Sequence, residues 1–213
     1  MRFWTAGRRR GSRAESKPDE PEAPQLRTPL TVVRVTSASA KGTRSLGRRD
    51  VDFGFDRVFI PSLVIDHTEL VLRQPGVHGD EGFAVWAGTL AGGDAHVATL
   101  AIPRASGSPT HGTISADTSA NVLTGLDERD LVPIMQLHSH PRRAFLSEED
   151  AIRPLVAVPG FISVIIPSFG FVDLADIGLW SAHEYGGPDR WRELDHDERR
   201  RRFIIDDSVI RVD

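Results

Sequence analysis

Beyond residue 55 the apolar and polar positions fall into short periodic stretches, and each stretch predicts an element. Arg57-Val58-Phe59-Ile60-Pro61 reads as a short strand. From Ser62 to Arg73, Leu63, Val64, Leu70, Val71 and Leu72 recur at helical spacing, and Gln74-Pro75-Gly76 closes the helix. After a turn at His78-Gly79-Asp80, the stretch Glu81 to Leu90 predicts a strand with Phe83, Val85 and Ala87 on one face. Gly92-Gly93-Asp94 reverses the chain and Ala95 to Ile102 returns it, so the pair predicts a hairpin. Thr110 to Ser115 suggests a further strand, Asn121 to Asp130 a helix, and Val132 to His140 (VPIMQLHSH) a strand. A helix begins at Ser147, Gly160 to Pro167 (GFISVIIP) is a buried strand, and Leu174 to Trp180 is the last strand. Glu193 to Arg202 predicts a charged terminal helix, with Phe203-Ile204-Ile205 as its apolar continuation. There is no internal repeat. Several strands alternating with a few helices predict an α/β or α+β fold, a central mixed β-sheet flanked by helices.

The amino-terminal quarter differs. Residues 1–50 carry 12 Lys/Arg against 5 Asp/Glu, whereas residues 51–213 carry 14 against 25. A basic arm thus precedes an acidic body. The arm is rich in Pro, Glu, Ser and Arg and has no hydrophobic period to about Pro29, which predicts disorder. Thr31 to Val35 is a candidate strand, and Ser37 to Gly47 reads as linker. The expected organisation is a disordered arm and linker over 1–50, one folded domain over 51–182 and a helical extension over 183–213. An acidic partner or nucleic acid is the functional reading of the arm, and a solvated charged segment the simpler one. No apolar run approaches the length of a membrane span and no secretory signal is visible, so a cytoplasmic location is expected and no membrane partner. The chain has no cysteine, which excludes a thiol nucleophile, a thiolate zinc finger and an iron–sulfur cluster.

The chemistry concentrates in His138-Ser139-His140-Pro141-Arg142-Arg143-Ala144-Phe145-Leu146-Ser147-Glu148-Glu149-Asp150. Strand side chains repeat every second residue, so His138 and His140 point the same way and two imidazoles can share one metal. Pro141 ends the strand. Asp150 then falls on the first turn of a helix, from which its carboxylate can swing back toward the imidazoles. Two nitrogens and one oxygen leave a fourth position for water, which suits a catalytic Zn²⁺. Such a water needs a base, and Glu81, at the head of the strand EGFAVWAG, is the candidate. Ser147 offers a hydroxyl to an oxyanion. Each fragment also has a plainer reading. His-x-His pairs are commonly ordinary strand residues, and Ser-x-x-Asp before a helix is commonly a capping box.

Taken in order, Glu81 with its glycine-punctuated strand, His-Ser-His-Pro, and Ser-x-x-Asp resemble the JAMM motif of the JAB/MPN metalloprotease domain, over roughly residues 55–182. The resemblance implies the JAB/MPN (cytidine-deaminase-like) architecture and one zinc ion per chain. It implies that His138, His140 and Asp150 bind the metal, that Glu81 activates water and that Ser147 steadies the oxyanion. Glu149 is the alternative acid ligand. It also implies a hydrolase acting at the C-terminus of a ubiquitin-like modifier, its conjugate or a sulfur carrier. In bacteria such domains accompany E1- and E2-like conjugation proteins, some in antiviral systems. Some MPN domains lack the ligands and serve as scaffolds, so a non-catalytic binding module and a nucleic-acid-associated module are the competing readings. His78 lies near Glu81 in sequence. His67, His96, His111, His183 and His196 have no partner at ligand spacing, and Trp86 and Trp180 read as core.

Overall fold

A mixed nine-stranded sheet organises the described part of the computed structural model, residues 33–35, 53–103, 114–188 and 190–207. In chain order the elements are β1 (Val33–Val35), β2 (Arg57–Ile60), α1 (Ser62–Gly76), β3 (Phe83–Ala91), β4 (Asp94–Pro103), α2 (Ala116–Asp127), β5 (Val132–Ser139), α3 (Glu148–Ile152), β6 (Ile162–Ile166), β7 (Ser181–Gly187), β8 (Arg190–Glu193), α4 (His196–Arg202) and β9 (Phe203–Ile205). The strand order is β8-β7-β6-β5-β3-β4-β2-β9, with β1 beside β4. Strands β5 and β6 are parallel, as are β1 and β4, β2 and β4, and β2 and β9. The remaining pairs are antiparallel. The expected class, a central mixed sheet flanked by helices, is the one observed.

The middle of the sheet is buried on both faces. Ala84 to Gly88 of β3 and all of β6 are inaccessible, which is why these stretches read as continuous apolar runs. Helix α1 covers one face through Val64, Ile65, Thr68 and Leu72. The indole N–H of buried Trp86 donates to Thr68 Oγ1 at 2.8 Å, so this large core side chain has its one donor satisfied. Two glycines make the β3 packing possible. A Cβ on Gly82 would lie 2.7 Å from Leu72 Cα, so the start of β3 runs flush against α1 only because Gly82 has none. A Cβ on Gly88 would overlap the His96 carbonyl, where the β3–β4 register shifts between Ala87 and Gly88.

Several expectations are corrected. Leu174 to Trp180 is not a strand. Asp173 and Asp176 accept from the amides of Ala175 and Gly178 and fold the segment into turns, and the strand begins at Ser181. The continuation Phe203-Ile204-Ile205 is a strand parallel to β2, since buried Phe203 and the β-branched pair suit a sheet edge better than a helix end. Glu193 ends β8, and α4 starts later, at a capping box between Asp195 and Glu198. Residues 183–207, expected as a helical extension, therefore supply one helix and parts of the main sheet. The candidate strand at Thr31 to Val35 holds over Val33–Val35. The rest of the basic arm and linker, and positions 110–113 of the strand suggested before α2, lie outside the described residues. Ser115 is the N-cap of α2. Among the described residues no helix is long and apolar enough to cross a membrane.

Candidate metal centre

Strand β5 delivers the two imidazoles. In the antiparallel pairing with β3, His138 is the partner of Phe83, and their rings lie nearly parallel, 7° apart with centroids at 6.5 Å. His140 lies just past the strand end. Its amide donates to the Ile166 carbonyl at 2.8 Å and its carbonyl accepts from the Phe169 amide at 2.7 Å. The loop after β6 thus fixes the second histidine. That loop has Ser168 and Phe169 at φ 55° and 53°, a left-handed conformation unfavourable for both, and the bonds to His140 and from the Ser168 amide to the Arg142 carbonyl hold it there.

Residues 141–146 then lead to α3. Ser147 is its N-cap and closes a capping box: the Ser147 Oγ accepts from the Asp150 amide at 3.2 Å, and the Ser147 amide donates to Asp150 Oδ2 at 3.0 Å. The plainer reading of Ser-x-x-Asp is therefore true. It coexists with the other, because the box turns the Asp150 carboxylate back toward β5.

The three expected ligand atoms converge. His138 Nε2 and His140 Nε2 are 3.2 Å apart, and Asp150 Oδ2 is 3.2 Å from the first and 3.3 Å from the second. All three residues are buried. Two donor atoms on a tetrahedral Zn²⁺ at ~2.1 Å are about 3.4 Å apart, so the triangle has the size of one face of such a coordination shell. Two imidazole nitrogens and a carboxylate oxygen gathered in a buried place can be satisfied by one cation that displaces any proton they share, and this donor set suits zinc. Burial works to raise the Asp150 pKa. The hydrogen bonds to His138 and His140, the attraction of His138 and the Ser147 hydroxyl outweigh it and hold the carboxyl well below the usual range. The group therefore stays an anion, as a ligand must.

Among the described residues His138, His140 and Asp150 form the one cluster of this kind. Glu149, the alternative acid, is exposed and is not part of it. Glu81 is half-buried and lies two residues before Phe83, the β3 partner of His138. This junction is stapled by two bonds, from the Ser139 amide to the Gly82 carbonyl at 3.0 Å and from the Gly82 amide to Ser139 Oγ at 2.9 Å. The Ser147 hydroxyl donates to Asp150 Oδ2 at 2.6 Å. His78 is exposed in a turn. His67 bonds to the Leu63 carbonyl, His96 stacks on Phe59, His183 pairs with Ser181 and His196 with Arg200. His111 lies outside the described residues.

Three further residues belong to the surroundings and were not expected. Phe145 stands edge-on to His140 at 4.9 Å and remains 55% exposed. Gln136, buried two residues before His138, accepts from the Leu155 amide at 2.7 Å. Trp191 donates to the Ala151 carbonyl at 3.1 Å. A polar residue in an otherwise apolar strand was the available signal for Gln136. Trp191 had none, because its contact joins segments 40 residues apart.

No family model matches the chain. It is 26% identical over 141 residues to the probable metalloprotease y4jG of Sinorhizobium fredii, a likeness covering 64% of this chain and 86% of that protein. Its fold is similar to the solution structure of protein DSY2949 from Desulfitobacterium hafniense, with a TM-score of 0.51 at 18% identity over 72% of this chain and 95% of that one. AF2198, a JAB1/MPN domain protein from Archaeoglobus fulgidus, is a more distant match, with a TM-score of 0.36 at 14% identity over 70% of this chain and 98% of that one. The order of the motif and the meeting of its three candidate ligand side chains thus stand beside a likeness to a probable metalloprotease and a shared fold.

Proposed function

We propose that the protein is a zinc-dependent metallopeptidase that hydrolyses a peptide or isopeptide bond at the C-terminus of a ubiquitin-like or sulfur-carrier-like protein. The observation that carries this reading is the 3.2–3.3 Å triangle of His138 Nε2, His140 Nε2 and Asp150 Oδ2. These side chains hold the metal in this reading. When bound, the metal supplies Lewis acidity, polarising a carbonyl and lowering the pKa of water.

The chain's own residues supply the rest. Glu81, just before β3 and two residues from the Phe83 that pairs with His138, takes a proton from the attacking water and returns it to the departing amine. The Ser147 hydroxyl orients Asp150 at rest, and its rotation frees it to donate to the developing oxyanion. Phe145 gives the site an apolar lip. Exposed Arg142 and Arg143 on the same loop offer positive charge to an acidic substrate. A cytoplasmic location and partnership with E1- and E2-like conjugation proteins belong to the same proposal.

The test is zinc content of the purified full-length protein together with cleavage of a panel of ubiquitin-like fusions. One zinc per chain, and cleavage that Glu81→Gln abolishes, is the expected result. A protein that purifies without zinc from zinc-replete cells and cleaves no fusion is a scaffold, and the proposal fails.

A further inference from the structure

The helix that carries Asp150 has five residues. A helix that short has no stability of its own, so its position is set by what grips it. The capping box closes its first turn. Its other end is held from two directions. From β8, the outermost strand on that side, the Trp191 indole donates to the carbonyl of Ala151, the residue next to Asp150. The indole is itself propped against Tyr185, ring centroids 5.0 Å apart. Just past the helix, the Leu155 amide donates to buried Gln136 Oε1 at 2.7 Å, and Gln136 Nε2 donates to Ser163 Oγ at 3.1 Å. Gln136 precedes His138 by two residues on β5, so the strand repeat puts both on one face, and His140 follows just past the strand end, anchored to Ile166 of the neighbouring β6.

We infer that Gln136 and Trp191 are positioning residues that set the Asp150 carboxylate against the two imidazoles, so that metal affinity depends on two side chains touching no ligand atom. The inference rests on the metal-site reading above. The physical reason is a shared frame. The strand face that fixes both imidazoles also fixes, through Gln136, the chain leaving the carboxylate helix. The ligand spacing is thereby referred to one strand rather than to the loop of residues 141–146. Trp191 blocks the remaining freedom. Rotation of α3 about its axis swings Asp150 away, and it also breaks the bond at Ala151.

The experiment uses the full chain and measures Zn²⁺ affinity by competition with a chromophoric chelator, with the visible spectrum of the Co²⁺ form as a second readout. Trp191→Phe keeps a ring against Tyr185 and removes only the N–H. Its expected effect is a loss of about tenfold in Zn²⁺ affinity, within the range usual for groups that orient metal ligands. The Co²⁺ absorption moves toward that of Asp150→Ala. Gln136→Met loses both bonds and is expected to cost more, whereas Gln136→Glu retains an oxygen for the Leu155 amide and recovers most of the affinity. In an Asp150→Ala background Trp191→Phe changes affinity less than about twofold, because no carboxylate is left to position. Unchanged affinity and Co²⁺ spectrum in Trp191→Phe overturn the inference and leave the metal site standing. An equal loss in both backgrounds overturns it too, as a general structural effect. An unmodified protein that takes up neither Zn²⁺ nor Co²⁺ overturns the metal site itself, and the inference with it.

Discussion

Asp150 Oδ2 receives the Ser147 amide and hydroxyl on one side and faces both imidazole Nε2 atoms on the other. One oxygen thus joins the helix cap to the candidate metal centre, and substitutions nearby should separate the two functions. Ser147→Ala removes the cap and the hydroxyl together. It should cost about 1 kcal/mol of stability in chemical denaturation and roughly 100-fold in kcat, with zinc still bound. Glu81→Gln should leave zinc content and stability unchanged and lower kcat by at least about 100-fold, measured on the same fusion substrate. A Glu81→Gln protein of full activity removes the proposed base. At this scale the sequence was informative where chemistry follows local spacing. His138 and His140 share a face because a strand repeats every second residue, and Ser147 reaches Asp150 because an N-cap reaches the third residue of its helix. For Gln136 the sequence shows a polar residue in an apolar strand but not its partners, since Leu155 and Ser163 lie 19 and 27 residues away and only the folded sheet joins them.

Among the elements, β3 shows how a strand can be set by what it lacks. Gly82 lies between Glu81 and the strand, with the α1 backbone where a Cβ would stand. Gly82→Ala should push α1 away from the sheet or shift the strand end, at about 1–3 kcal/mol, read in a urea titration. The same shift displaces Glu81 relative to His140, so kcat should fall more than the remaining folded fraction explains. Equal falls in folded fraction and activity argue against that coupling. The β3–β4 hairpin and the β5 and β6 strands were readable because two-sided burial leaves long apolar runs bounded by Gly and Pro. The stretches Leu174 to Trp180 and Phe203 to Ile205 depart from their local periodicity for the opposite reason. The turns of the first are made by Asp173 and Asp176 side chains inside an apolar stretch, and β9 gains its character from pairing with β2 at the far end of the chain. Local periodicity carries no record of such a partner.

For the molecule as a whole, the buried titratable groups predict how stability follows pH. His183 is buried beside Ser181, and its pKa lies below the ordinary imidazole value. Burial is the main cause; Glu193 opposes it, while Arg199 and His138 reinforce it. Unfolded, this histidine takes a proton near pH 6.5, whereas folded it resists doing so. Its contribution is therefore present above that pH and declines as the solution is acidified toward the folded value. The depressed Asp150 carboxyl adds stability that is present above the unfolded carboxylate value, near pH 4, and fades as pH falls through its folded value. Metal-free protein should thus lose stability from about pH 6.5 downward, and His183→Gln should flatten the first part of that decline in thermal melts. Bound metal adds to this in proportion to its concentration. With free zinc at about 100 times Kd the folded state gains about 2.7 kcal/mol, a rise of roughly 5–10 °C in Tm for a chain of this size. A chelator should reverse it. Because imidazoles must be neutral to ligate, the gain should shrink in acid, so the melting curves with and without zinc should converge as pH falls. Curves that stay parallel to pH 5 place the bound zinc somewhere other than on His138 and His140.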